Sequence, residues 1–289
     1  MKHILLIDGM ALLFRSFFAT AITNQFMRNE NGTPTNGVQG FLRHSLTAID
    51  LIKPTHVAVC WDMGKETFRN ETFADYKANR NAPPEELIPQ FDLVKEVAEK
   101  FSFHNIGVHG YEADDCIGTI AKKEAEHARI SVVSGDKDLL QLLEPNIEIW
   151  LVQKGYGNYN RYTLDRFIEE YEITPEQFID VKGLMGDPSD GYPGVKGIGE
   201  KTAYKLIKEF GSIDNLLQNK ERLTPGQKKK ISEDEKMLHL SRQLAEIHCE
   251  VPLEQPFAKD WNGVSEKAIQ VSDEYGLKTV KRFLENAGL

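Results

Sequence analysis

The run YEADDCIGTIAKKEAEHARISVVSGDKD, residues 111–138, carries carboxylates at both ends and little acid of consequence in its apolar middle. Glu112, Asp114 and Asp115 open it, and Asp136 and Asp138 close it. Between them the pattern predicts a helix and then a short β-branched strand, a unit that returns its two ends to one place. Carboxylates gathered together repel one another unless cations sit among them. With no His or Cys cluster nearby, hard oxygen ligands point to magnesium or manganese rather than zinc.

The rest of the chain builds a frame around this run. Apolar stretches at residues 3–7, 56–61, 103–109, 130–134 and 147–152 predict buried strands. Helices are expected over 38–52, 85–100 and 112–127. Strands alternating with helices of this length predict an α/β fold with a mainly parallel central sheet. Asp8, Asp62 and Asp136 each stand just past a strand end, at the carboxyl edge where open parallel sheets bind ligands. Glu112 and Asp115 are three apart and share a helix face, while Asp114 lies on another. Any one such acid is commonly a turn former or a helix cap. Their coincidence at one edge favours metal binding, and so many carboxylates suit two ions better than one. Asp187 and Asp190, in MGDPSDGYPG, add a second cluster.

From about Leu164 to Leu240 the pattern changes to short helices with Gly- and Pro-rich turns. A last strand is expected at Ile247–Val251 and a terminal helix at about Ser272–Asn286. We divide the chain into an α/β core, 1–175, and a helical region, 176–289.

The formal net charge of −9 argues against nucleic acid taken as a sum, but the basic residues cluster. Lys65, Arg69, Lys77 and Arg80 are interleaved with Phe68, Phe73 and Tyr76 in a polar segment that Pro83-Pro84 closes. This fits a phosphate grip with aromatics available for base stacking. In GVKGIGEKTAYKLIKEF, Gly194, Gly197 and Gly199 permit a tight turn. The following helix turns Ala203, Leu206 and Ile207 inward and Lys201, Lys205 and Lys208 outward. Backbone amides at a helix N-terminus beside lysines hold phosphates without reading bases. A dinucleotide loop is disfavoured because no strand precedes the glycines. Lys228, Lys229 and Lys230 read as a solvated face. Cys60, Cys116 and Cys249 have no metal-binding spacing, and the N-terminal apolar run is too short for a signal peptide. A cytoplasmic protein with no membrane segment is expected.

Together IDGMALLFRSFFA, YKANR, YEADDCIGTIA, SGDKDLLQL and GDPSDGYPGVKGIGEKTA resemble the bacterial 5′–3′ exonuclease and flap endonuclease family, similar to the N-terminal domain of DNA polymerase I. The resemblance runs from Asp8 to about Pro252 and looks like a free-standing member. It implies a PIN-like 5′-nuclease core that hydrolyses DNA phosphodiesters by two-metal-ion catalysis in replication and repair. The family's first metal cluster falls on Asp8, Asp62, Glu112, Asp114 and Asp115. Its second falls on Asp136, Asp138, Asp187 and Asp190, with Asp136 serving both. The family's helical arch, which admits a single-stranded 5′ end, falls on about 64–89. Lys77 matches the arch lysine at the scissile phosphate, Tyr76 and Arg80 lie beside it, and Arg15 matches a basic residue near the cut strand.

The glycine turn, Gly194, Val195, Lys196, Gly197, Ile198 and Gly199, matches a helix–turn–helix that holds duplex phosphates, often around a potassium ion; Lys201 and Lys205 follow it. The implied cofactors are two Mg²⁺ or Mn²⁺ ions. The implied partner is branched or 5′-flap DNA, with an RNA primer–DNA hybrid as a further option, bound by a monomer. Where the family commonly reads SDN and then IPG, this chain reads Ser189-Asp190-Gly191-Tyr192-Pro193-Gly194, keeping both acids. Two rivals are a metal-dependent ribonuclease on a similar sheet and a non-enzymatic binder of branched DNA.

Overall fold

The computed structural model describes residues 2–21 and 26–287. The chain opens with β1 (His3–Asp8), α1 (Gly9–Ala21), α2 (Asn36–Ile52) and β2 (His56–Cys60). The short helix α3 (Phe68–Thr72), α4 (Gln90–Lys100), β3 (His104–Ile106), α5 (Ala113–Glu124) and β4 (Arg129–Ser134) follow. After a 3-10 turn at Asp138–Leu142 come β5 (Ile147–Val152) and β6 (Tyr159–Tyr162). The sheet order is β3-β2-β1-β4-β5-β6. Strands β1 to β5 are parallel, and β6 returns antiparallel on β5. The chain therefore grows outward from β1 in one direction and then in the other. The two carboxyl ends of β1 and β4 flank the point where the strand order reverses, a natural ligand crevice.

Strand periodicity explains why both faces are covered. Ile4 and Leu6 of β1 join a core with Ala58, Ile130, Val132 and α5 residues Cys116, Ile117 and Ile120. Leu5 and Ile7 point the other way, into a second core with Leu12, Phe17, Phe41, Val59 and Val94 from α1, α2, β2 and α4.

The helical region comprises α6 (Leu164–Tyr171), α7 (Pro175–Met185), α8 (Glu200–Phe210), α9 (Ile213–Gln218), α10 (Pro225–Glu233) and α11 (Glu235–Ala245). Two of these helices start the same way. Thr174 and Thr224 each exchange hydrogen bonds with the Gln three residues on, with Pro in the first helical position. Val181, Leu184, Ile198, Ala203 and Ile207 of this region join the same core as Ile4, Leu6 and α5, so the helical region packs on the sheet through shared apolar contacts. No helix among the described residues is long and apolar enough to cross a membrane.

Several elements differ from the expected ones. The segment 64–89 holds only α3 and a series of turns, because Asn70, Asp75, Asn79, Asn81, Pro83 and Pro84 favour local turns over continuous helix. The helix expected over 85–100 begins at Gln90, after Pro89, which cannot donate an interior helical hydrogen bond. The helix expected over 38–52 begins two residues earlier, at Asn36.

The segment Ile247–Val251, expected as a strand, lies outside the sheet with no regular structure. Its amides are taken by side chains instead: Ile247 N–H donates to Gln141, His248 N–H to Asp115 and Val251 N–H to Thr119. The last strand is β7 (Lys259–Asp260), antiparallel to the start of β2 on the edge that β3 takes further along. The terminal helix is broken into α12 (Ala268–Glu274) and α13 (Lys278–Ala287) at Gly276. Gly276 has φ +65°, and a Cβ there would meet the Asn29 Cα at 2.8 Å.

Candidate metal centre and nucleic-acid interface

The carboxyl edge of the sheet collects the acids. Asp8 ends β1, where its carboxylate accepts from Ala11 N–H at 2.9 Å and from the Ser134 hydroxyl, at the end of β4, at 2.6 Å. Asp62, two residues past β2, accepts from Ala113 N–H at 2.7 Å and so faces the positive end of α5. Asp136 follows β4, with its own amide held by the same Ser134 hydroxyl.

These groups disturb one another strongly. Burial, with the charges of Asp62 and Asp136 adding to it, pushes the Asp8 carboxyl up to about 7 against its two hydrogen bonds. Burial raises Asp62 as well, helped by Glu112. Burial also raises Asp114 well above the usual carboxylate range, with Asp8, Asp136 and Glu112 contributing. Asp138 is pushed up to about 7 by burial and by Asp136. A line of mutually repelling carboxylates thus runs from Asp62 through Asp8, Asp114 and Asp136 to Asp138.

The line ends in a compact group. Carboxylate oxygens of Asp138, Asp187 and Asp190 lie within 4.8 Å of one another. The loop that presents two of them is shaped by glycine. At Gly186, where α7 ends, φ is +71°, and a Cβ there would meet the Pro193 carbonyl carbon at 2.4 Å. The loop closes through Asp187 N–H to Tyr192 C=O and Gly191 N–H to Asp187 C=O. Asp187 also accepts from Ser189 N–H at 2.8 Å, a local turn that leaves its second oxygen to the Lys182 ammonium.

Four cations stand against these acids. Lys77 donates to Glu112 at 2.6 Å, and Arg80 to Asp190 at 2.6 Å. The Tyr76 hydroxyl reaches both Glu112 (3.2 Å) and Asp190 (3.3 Å). Lys182, on α7, contacts Asp138 at 2.7 Å and also Asp187. Burial opposes its charge, but those two carboxylates outweigh burial and hold it protonated. Burial likewise favours a neutral Asp187, yet bonds from Lys182 and Ser189 leave its carboxyl below the usual range. Arg69 lies buried with two parallel 2.8 Å bonds to Asp115.

Asp115 is therefore placed apart from the other acids. It is fully buried, held by Arg69, and accepts from the amides of Glu112 and His248. The sequence grouped it with Glu112 on one helix face and set Asp114 aside. The fold keeps Glu112 and Asp115 together, with Arg69 against both, and turns Asp114 towards Asp8 and Asp136. Arg15 lies part-buried on α1, and its charge acts on His44.

Lys182 escaped the sequence reading as part of the site, and Arg69, read there as part of the phosphate-gripping segment, is instead buried against Asp115. Lys182 carries a signal: it is the lone cation in the mostly apolar stretch FIDVKGLM. Gly191, which replaces the more usual Asn, has φ +82° and lies where a Cβ would meet the Asp75 carbonyl at 2.9 Å. Lys77 N–H donates to the Asp190 carbonyl and the Asn79 amide to that of Pro188, so the basic segment is pressed onto the acidic loop.

The glycine turn forms a separate surface on the helical region. Val195 and Ile198 are buried, whereas Lys196, Gly197, Gly199, Lys201 and Lys205 are exposed. Gly194, at φ +63°, packs against the Gly186 backbone and donates to the Ser241 hydroxyl. Lys230 is tied to the Gly197 carbonyl at 2.9 Å and so braces the turn. Gly199 caps α8 with open space around it, leaving the first amides of the helix accessible.

The profile of the 5′–3′ exonuclease N-terminal resolvase-like domain matches residues 3–172, and that of the 5′–3′ exonuclease C-terminal SAM fold matches residues 173–266. The chain belongs to the 5′–3′ exonuclease family. It is 56% identical over 286 residues to a 5′–3′ exonuclease of Bacillus subtilis (strain 168), covering 98% of this chain and 96% of the relative. It is 42% identical over 257 residues to DNA polymerase I of Lactococcus lactis subsp. cremoris (strain MG1363), covering 88% of this chain but only 29% of that longer relative. Among solved structures, a bacteriophage T5 D15 flap endonuclease complex with DNA and metal ions superposes with a TM-score of 0.70, at 22% identity and full coverage of both chains. At that identity the likeness concerns the fold.

The donor chemistry fits divalent cations. The compact group offers only carboxylate oxygens, as hard ions prefer. Lys182 already supplies one positive charge to it. The acids of the longer line carry raised proton affinities that a cation would relieve.

Proposed function

We propose that this member of the 5′–3′ exonuclease family is a structure-specific 5′ nuclease that hydrolyses DNA phosphodiesters at branched or 5′-ended duplexes. The observation that carries this reading is the line of acids at the sheet edge, with Lys77 bonded to Glu112 and Arg80 to Asp190 beside it. Asp8, Asp62, Glu112, Asp114 and Asp136 would hold one Mg²⁺ or Mn²⁺; Asp138, Asp187 and Asp190, with Asp136 shared, would hold a second. When bound, such a pair supplies Lewis acidity to both the attacking and the leaving oxygen of an in-line displacement.

The chain's own groups do the rest. The exposed amides at Gly197 and Gly199, with Lys196, Lys201 and Lys205, grip duplex phosphates without reading sequence; a potassium ion at this turn would replace the Lys230 ammonium at the Gly197 carbonyl. Residues 64–89 act as the gate for a single 5′ strand. Lys77 and Arg80 exchange their carboxylate partners for the scissile phosphate and neutralise charge that builds on it, and Tyr76 keeps them oriented. Arg15 contacts the cut strand further along α1. Asp115, with Arg69, fixes the N-terminus of α5 and thereby Glu112 and Asp114. Residues 1–175 form the nuclease core of a monomer, and 176–289 its duplex-holding region, whose final elements β7, α12 and α13 return to pack on the core. The free thiols of Cys60, Cys116 and Cys249 suit a cytoplasmic setting.

The test is a 5′-labelled DNA flap with a one-nucleotide gap, incubated with Mg²⁺ or with EDTA, and product lengths read on a gel. Cleavage near the junction with Mg²⁺ and none with EDTA is expected. The same products in EDTA, or no product in Mg²⁺, would refute the reading; an RNA strand cut in preference to DNA would favour the ribonuclease rival.

A further inference from the structure

Helix α11 is tied at one end to the glycine turn and at the other to the acids. At its start Asp234 accepts from Lys196 N–H at 2.8 Å, and further along the buried Ser241 hydroxyl accepts from Gly194 N–H at 3.1 Å. The last carbonyls of a helix have no partner within it and carry its negative pole. Here two side chains from the core take them. Gln141, on the turn that Asp138 opens, donates to the Ala245 carbonyl at 3.0 Å. Arg69 donates to the Leu244 carbonyl at 3.1 Å and to the Glu246 carbonyl at 2.8 Å, and gives its remaining edge to Asp115. Asp115 in turn accepts from Glu112 N–H at 3.0 Å. Arg69 is buried and makes all of these bonds at once, so its guanidinium faces the protein and not a phosphate.

We propose that Arg69 is a positioning residue that fixes the distance between the glycine turn and the acids, with α11 as the ruler, and so sets which phosphodiester is cut. A grip on phosphates reads no sequence, so the cut is placed by the spacing between the grip and the reacting site. The 11 residues of α11 supply a rigid length of about 16 Å. The apolar contacts that also join the helical region to the sheet are non-directional and do not fix that length. The planar fork of Arg69 does, because one rigid group meets Asp115 and two carbonyls together. A misplacement of about 1 Å that arises away from the chemistry can cost on the order of 100-fold in rate. The inference rests on the nuclease reading above, and its test separates the two.

Two variants test the two ends of the ruler. Arg69→Lys keeps the charge but loses the fork, and Ser241→Ala breaks the opposite tie without touching a buried charge. A 5′-labelled flap is cut in Mg²⁺ under single-turnover conditions and the product lengths are read; affinity for a plain fluorescent duplex is measured in EDTA by anisotropy. Both variants should spread the cuts over neighbouring phosphodiesters. Arg69→Lys should also cut about 10–100-fold more slowly while holding the plain duplex as tightly as the wild type. Cuts confined to the wild-type position in either variant, at whatever rate, would refute the ruler, because a purely structural contact can slow the enzyme without moving the cut. Weaker duplex binding by Arg69→Lys would refute it as well and return Arg69 to the phosphate grip. Should Arg69→Lys not fold, Ser241→Ala decides alone. No Mg²⁺-dependent product from the wild type would instead refute the nuclease reading.

Discussion

The Lys182 ammonium lies 2.7 Å from a carboxylate oxygen of Asp138, and the same group contacts Asp187. It is the buried counter-charge of the compact acidic group, supplied by the helix that leads into the loop. Such a pair needs both partners, because removing one leaves a charge in a poorly solvated place.

Lys182→Met should therefore have opposite effects with and without metal. The metal-free protein loses about 3–5 kcal/mol, as expected for breaking a buried pair. A divalent ion meets three carboxylates without a competing ammonium and binds more tightly. Thermal unfolding in EDTA and in Mn²⁺ should show a lowered midpoint that metal restores. A midpoint unchanged in EDTA would mean that the pair contributes nothing.

Asp114 and Asp115 are neighbours with different work, so their amide variants should separate. Asp115→Asn leaves the buried Arg69 guanidinium short of its charged partner, and unfolding in urea should show a loss of about 3–5 kcal/mol. Asp114→Asn removes a carboxylate that burial and three other acids already disfavour. It should leave the metal-free protein as stable or more so while suppressing Mg²⁺-dependent cleavage. Equal destabilisation by the two would contradict the orientation of α5 described above.

Gly191→Asn tests the contact between the basic segment and the acidic loop. Asn tolerates positive φ better than most residues, so backbone strain is small, but its Cβ must displace the Asp75 carbonyl. The bonds of Lys77, Asn79 and Arg80 to residues 188–190 should loosen. Limited proteolysis should then cut between residues 75 and 83 faster than in the wild type, with the global unfolding midpoint lowered by only a few degrees. An unaltered cleavage rate there would show that the segment yields without detaching.

At the other end of the sheet, Glu148 accepts from Ser131 (2.6 Å), Trp150 (2.8 Å), Arg129 (2.9 Å) and Arg161 (2.6 Å). Burial pushes its carboxyl up, but these bonds prevail and hold it at about 2. An unfolded Glu titrates near 4.3. The folded state thus binds fewer protons between these values; the stabilisation is full above about pH 5 and drains away as pH falls towards 2. Solvent screening of the two half-exposed arginines reduces it to on the order of 2 kcal/mol. The stability gap between wild type and Glu148→Gln should be widest near pH 7 and close by about pH 2. A gap independent of pH would assign the effect to packing.

Much of the fold was legible because its signals are local. Apolar runs stopped by an acid marked β1, β2 and β4, and an apolar run alone set β5 at residues 147–152. The same carboxylates at the strand ends disclosed the edge where a site would form. The glycine turn was equally plain, since Gly197 at φ +77° and the exposed lysines of α8 follow from spacing. By contrast, β6 and β7 are short strands whose antiparallel pairing depends on β5 and β2 being already in place. Ile247–Val251 has the composition of a strand but gives its amides to Gln141, Asp115 and Thr119, a choice invisible without those partners.

The sequence by itself determined which acids could meet, because strand ends in a parallel sheet are obliged to share an edge. Only the tertiary structure decided which of them do. At the start of α5, Asp114 and Asp115 point about 100° apart, as successive helical residues must, and Arg69, brought from 46 positions earlier in the chain, takes one of them for the core. Lys182 enters the site for the same reason. Burial next to distant charges is a property of the packed molecule, and no spacing along the chain encodes it.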